Sequence, residues 1–123
     1  MLVSVIIPAL NEARNIQACI AAARRGYAPD QVEIIVVDGG SHDGTPELVS
    51  EGTSVGDLVQ QVKLLHAPRG RAVQMNIGAA NAYGDIFVFC HADSQLPKGW
   101  REAVIAALST PGVSGGTFQT LIL

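Results

Sequence analysis

The stretch VEIIVVDGGSHDGT, residues 32–45, decides the architecture. From Val32 to Asp38 it is almost continuously apolar and β-branched, the pattern of a strand buried on both faces. Gly39-Gly40-Ser41-His42-Asp43-Gly44 is a loop by composition. Thr45 followed by Pro46 makes an N-cap and first-turn pair, which opens a short helix to about Ser50.

The same alternation extends outward in both directions. Upstream, Val3 to Pro8 (VSVIIP) is another doubly buried strand. Ile16, Cys19, Ile20 and Ala23 recur at i, i+3, i+4 and i+7, one face of a helix from about Glu12 to Arg25 that Gly26 and Pro29 stop. Downstream, Gly52 and Gly56 break the pattern, so residues 51–60 are expected to form a loop with one helical turn at most. Val62 to Leu65 is a third strand. Val73, Ile77 and Ala80 mark a helix from Arg71 to Tyr83, closed by Gly84. Ile86 to Cys90 (IFVFC) is a fourth strand, His91 to Pro97 a loop, and Trp100, Val104, Ala107 and Leu108 mark a last helix. Gly115 to Leu123 has the pattern of a further strand whose TLIL finish carries no stop signal, the mark of a truncated chain.

Alternation of this kind implies a Rossmann-like α/β fold, a mostly parallel sheet with helices on both faces. Ligands of such sheets bind beyond the carboxyl ends of the strands. That rule selects the loops Ala9 to Asn11, Asp38 to Gly44, Pro68 to Arg71 and His91 to Gln95.

Composition narrows the partners. The chain has 123 residues, one domain's worth, with 48% hydrophobic and 15% charged residues and a mean hydropathy of +0.28. A formal charge of −3 argues against nucleic acid as a partner. Phosphate recognition must come from a few placed groups. Cys19 and Cys90 lack the number and spacing of a disulfide framework or zinc site and are expected to be small core residues. No basic-then-apolar leader precedes Val3 and no apolar run approaches the ~20 residues of a membrane span, so the expected compartment is cytoplasmic. Strand one is followed by Pro-Ala-Leu-Asn-Glu, without a dinucleotide glycine fingerprint, a P-loop lysine or a terminal aspartate.

Within the selected loops, Asp38 is either a turn cap before Gly39-Gly40 or an acceptor for a nucleobase or ribose, and its position allows both. Asp43 carries the same ambiguity. Gly70 before a helix start lets backbone approach a phosphate, and Arg71 adds a bidentate donor. Asp93 is a hard-oxygen ligand suited to Mg²⁺ or Mn²⁺, with His91 two residues earlier as a candidate nitrogen partner, although two residues do not make a metal site by spacing. His42 and His66 join no constellation, and Trp100 and Met75 are expected in the core.

Taken together, the segments VSVIIPALNEARNI, IIVVDGGSHDGT, APRGRAVQMNIGAANAYGD and IFVFCHADSQLP resemble the family 2 glycosyltransferases, over roughly residues 3–98. The third and fourth are most similar to a bacterial subgroup with RGRA-x-QMN-x-GA and HAD in these places. The resemblance implies a GT-A fold, a nucleotide-diphosphate sugar donor, a divalent cation (Mn²⁺ or Mg²⁺) and an unknown acceptor. By position it sets Pro8, Ala9, Asn11 and Glu12 along the nucleoside, Asp38 against the base, and Gly70 and Arg71 near the base and phosphates. Asp93 matches the metal-holding last aspartate of the family's DxD motif, while His91 stands where the first aspartate belongs. The family's general base and acceptor residues follow that motif. Glu102 lies on a helix face turned to solvent, so no base is named. The resemblance makes the chain the nucleotide-sugar-binding half of an inverting, metal-dependent transferase. Peripheral membrane association of the full protein and pairing of copies through open sheet edges are compatible with it. The alternatives are a non-catalytic nucleotide-binding module and, further off, a nucleotidyltransferase.

Overall fold

The computed structural model describes residues 1–52, 62–112 and 115–116. Strand and helix alternate as β1 (Val3–Ala9), α1 (Ile16–Arg24), β2 (Val32–Asp38), α2 (Thr45–Gly52), β3 (Val62–His66), α3 (Arg71–Ala80), β4 (Ile86–Phe89) and α4 (Trp100–Leu108). The strands form one sheet in the order β3-β2-β1-β4, and every pairing is parallel. The strand expected over Gly115 to Leu123 and most of the loop expected over residues 51–60 lie outside the described residues.

Two apolar layers sandwich the sheet. On one face Val5, Ile7, Ile34 and Val36 pack with Ile16, Cys19 and Ala23 of α1, Val49 of α2 and Trp100 of α4. On the other, Ile6, Ile35 and Val37 pack with Ile77 and Ala79 of α3. The central strands β1 and β2 are buried from both sides, which is why they carry no polar alternation. Trp100 is 1% exposed, donates its indole N–H to the Ala23 carbonyl at 3.2 Å and meets Tyr27 edge-on with ring centroids 5.6 Å apart. Met75, expected in the core, is only half-buried.

Two helix expectations need correction. Helix α1 starts at Ile16 and not at Glu12. Residues 12–15 form a turn in which the Asn15 and Ile16 amides both donate to the Glu12 carbonyl, and Asn15, at φ −117°, departs from helical dihedrals and so separates this turn from the helix. Helix α3 ends at Ala80, short of Tyr83, and is rotated from its expected face. Gln74 and Gly78 are its buried residues, whereas Val73 is 42% exposed and Ala80 is exposed too. The cause is close packing at Gly78, where an added Cβ would lie 2.5 Å from Ile6 Cγ2 and 3.1 Å from Val37 Cγ2. Among the described residues, the apolar β4 lies at one end of the sheet. Phe87 and Phe89, in register with Ser4 and Ile6, remain 42% and 47% exposed.

Candidate functional site

Parallel pairing brings the carboxyl ends of the strands to one rim of the sheet. Ala9, Asp38 and His66 are register partners across β1, β2 and β3, and the Cys90 amide continues the β1–β4 ladder by donating to the Ile6 carbonyl. All four loops selected from the sequence therefore leave the same edge.

The first two loops are stitched together. Asn11 adopts a left-handed conformation, φ 53°, which asparagine tolerates better than most residues. Its amide donates to Ser41 Oγ at 2.8 Å, and its side-chain oxygen accepts the His42 amide at 2.8 Å. The Glu12 amide donates to Thr45 Oγ1 at 3.0 Å and the Ala13 amide to Asp43 Oδ2 at 3.0 Å. Asp43 Oδ1 accepts both the amide and the hydroxyl of Thr45. The Thr45 hydroxyl, more than any other single group, holds the Asp43 carboxyl below the usual carboxylate value, with the Ala13 amide next. Of the two roles open to Asp43, these bonds make the turn, and the expected N-cap, Thr45, instead forms the first residue of α2.

Asp38 is 2% exposed. Its Oδ2 accepts the amides of Gly40 and Ser41, each at 2.9 Å, and its Oδ1 accepts the Ser41 hydroxyl at 2.6 Å. The carboxylate therefore builds its own turn and, through Ser41, braces Asn11. Further lone pairs on its oxygens leave room for one more donor.

At the third loop, Gly70 occupies the N-cap position of α3 with φ 148°, and Arg71 is exposed on the first turn. Open amides of a helix start beside an arginine suit an anionic group. At the fourth loop the Ser94 amide donates to the His91 carbonyl at 3.0 Å, forming a tight turn. Ala92 anchors this turn in the core, with exposed His91 and Asp93 on either side of it. No group of three His, Cys, Asp or Glu residues able to hold a metal is present among the described residues. One carboxylate with one imidazole suits a Mg²⁺ or Mn²⁺ ion only if substrate oxygens complete its shell, the usual arrangement at phosphate-bearing substrates.

Beneath the fourth loop, Cys19 and Cys90 are buried with their sulfurs 3.8 Å apart, and each thiol reaches the His91 carbonyl at 3.5 Å. The contact with Cys90 and then burial push the Cys19 thiol well above its ordinary value, so it is a neutral core group and no ligand. Glu102 accepts the Tyr27 hydroxyl at 2.6 Å. Its neighbour Arg101 donates to the carbonyls of Met1 and Gln31, which precede β1 and β2, so Glu102 sits at the opposite end of the sheet from the loops. His42 enters the network through its backbone amide. The sequence reasoning missed Ser41, whose hydroxyl joins two loops, and the buried Gln74. The available signal for Gln74 was a polar residue four positions before a glycine on the same helix face.

An open parallel sheet in this order, with its candidate groups on carboxyl-end loops, makes the chain a Rossmann-like α/β domain, and the solved structures it resembles are GT-A glycosyltransferases. The chain belongs to the glycosyl transferase family 2, whose family profile matches residues 4–120. It is 34% identical over 120 residues to glycosyltransferase AglE of Haloferax volcanii, covering 95% of this chain and 39% of that protein. It is 35% identical over 100 residues to the undecaprenyl-phosphate 4-deoxy-4-formamido-L-arabinose transferase of Aeromonas hydrophila, covering 78% of this chain and 30% of that one. Among solved structures, the mannosyltransferase PcManGT from Pyrobaculum calidifontis, in complex with GDP-Man and Mn²⁺, superposes with a TM-score of 0.81 at 30% identity, over 90% of this chain and 33% of that one. Residues 1–349 of TarS from S. aureus share the fold with a TM-score of 0.74 at 23% identity, over 88% of this chain and 32% of that one. The chain thus spans well under half the length of these relatives. None of the described helices is long and apolar enough to cross a membrane.

Proposed function

We propose that the chain is the donor-binding part of a glycosyltransferase that takes a nucleoside diphosphate sugar and passes the sugar to an acceptor hydroxyl with inversion. The observation that carries this reading is the convergence of four loops on one rim, two of them locked by the reciprocal Asn11–Ser41–His42 contacts. In this reading Pro8, Ala9, Asn11 and Glu12 line the nucleoside. Asp38 offers its remaining acceptor capacity to the base. The α3 start with Gly70 and Arg71 faces the diphosphate, where amides and a guanidinium oppose its charge. Asp93, with His91 beside it, holds a divalent cation whose chemistry is to neutralise the diphosphate as it leaves. The PcManGT complex, with GDP-Man and Mn²⁺ bound to a similar fold, supports the donor class and the ion.

Titration calorimetry with UDP and with GDP, each with and without Mn²⁺, tests the reading on wild type and Asp93→Asn. Mn²⁺ is expected to tighten wild-type binding by about tenfold or more, equivalent to ~1.4 kcal/mol, and to do little for the variant. Equal enhancement in both proteins would remove Asp93 from the role. No nucleotide binding by wild type would overturn the donor site itself.

A further inference from the structure

We propose that Gln74 is the positioning residue of the donor site, a single buried amide that sets the relative placement of three loops; this rests on the donor-site reading above. Gln74 is 4% exposed on α3. Its Nε2 donates to the carbonyl of Ala9 at 3.0 Å and to that of Val37 at 2.8 Å. Its Oε1 accepts the Gly70 amide at 3.2 Å. These partners end β1, immediately precede Asp38 on β2, and immediately precede Arg71 at the start of α3. The amide thus touches the backbone next to the nucleoside loop, the base candidate and the phosphate candidate, and a shift of one is transmitted to the others.

A second observation points the same way. A Cβ on Gly39 would lie 2.8 Å from Gln74 Oε1 and 2.9 Å from its Cδ. Gly39 is not among the residues of positive φ, so its backbone does not demand glycine. A Cβ there would push the end of the Gln74 side chain out of its bonds. The bond to Ala9 is also additional to the framework of the fold, because the Ala9 carbonyl already accepts the Gly39 amide at 2.9 Å. Losing the amide therefore loosens the rim while the strand ladder stays. Glutamine alone among similar side chains supplies two N–H donors and an acceptor at this reach.

The test compares the full wild-type chain with Gln74→Met, which keeps length and drops every polar contact, and with Gln74→Glu. Calorimetry with UDP and GDP plus Mn²⁺ is run at several pH values between 5 and 8, beside urea unfolding. Gln74→Met is expected to unfold cooperatively and to bind about tenfold more weakly, the equivalent of one net hydrogen bond. Gln74→Glu carries the diagnostic signature. As a carboxylate it can donate to neither carbonyl, and burial raises its pKa; once protonated it can donate to one. Its affinity relative to wild type should therefore fall below that of Gln74→Met at the high end of the pH range and exceed it at the low end.

Binding by Gln74→Met within twofold of wild type, or a pH-independent ratio for Gln74→Glu, would overturn the positioning role. Loss of a cooperative transition in both variants would overturn it too, by making Gln74 a residue of the fold. A wild type that binds neither nucleotide would sink the donor-site reading first, and this one with it.

Discussion

Gly78→Ala sets helix propensity against packing, and the structure predicts which wins. In a helix interior alanine is favoured over glycine by about 0.8–1.0 kcal/mol, so propensity alone makes the substitution stabilising. The new methyl would, however, lie 2.5 Å from Ile6 Cγ2 and 3.1 Å from Val37 Cγ2. Ordinary carbon contacts are about 3.5–4.0 Å, so roughly 1 Å has to be recovered. Ile6 and Val37 are both 0% exposed and belong to the two central strands, and β-branched side chains turn about χ1 reluctantly. The helix must withdraw. Overpacking typically costs about 1–3 kcal/mol, and so short an approach takes the upper part of that range. The net expectation is a loss of about 1–2 kcal/mol. With a urea m-value of about 2 kcal/mol/M, the unfolding midpoint followed by circular dichroism should drop by roughly 0.5–1 M. Withdrawal should also stretch the Gln74 bonds one turn earlier, now 2.8 and 3.0 Å, and weaken nucleotide binding. An unchanged or raised midpoint would refute the reasoning, showing that α3 does not rest on the sheet through Gly78.

Trp100→Ala should cost about 3–5 kcal/mol, because Trp100 is the buried residue of α4; a loss below about 1 kcal/mol in urea unfolding would mean that α4 is held by its other contacts. Asp43 gives a pH test. Its folded value is depressed below 3.8, so its contribution is present above the ordinary carboxylate value and is lost only as pH falls through the lower folded value. The Ala13 amide resonance, followed by NMR, should titrate with a midpoint below 3.8, and a midpoint at or above that value would contradict the observed hydrogen bonds.

The chain by itself determined the elements and their order, because hydrophobic periodicity and stop signals are local. Val32 to Asp38 announces a doubly buried strand in its own residues, and the rule that ligands meet parallel sheets at their carboxyl ends then picked the four loops that the fold brings to one rim. Which residues touch across those loops depended on strand register and helix rotation, and both are set by contacts far apart in the chain. Register placed Ala9, Asp38 and His66 in one row, and the tertiary structure showed the Asp38 carboxylate already occupied by its own turn. Helix rotation was invisible to periodicity because the most deeply buried residues of α3 are Gln74 and Gly78, which an apolar pattern does not pick out. A glycine is buried there for its lack of volume and a glutamine for its hydrogen bonds, and only the packed sheet supplies the neighbours that reward them.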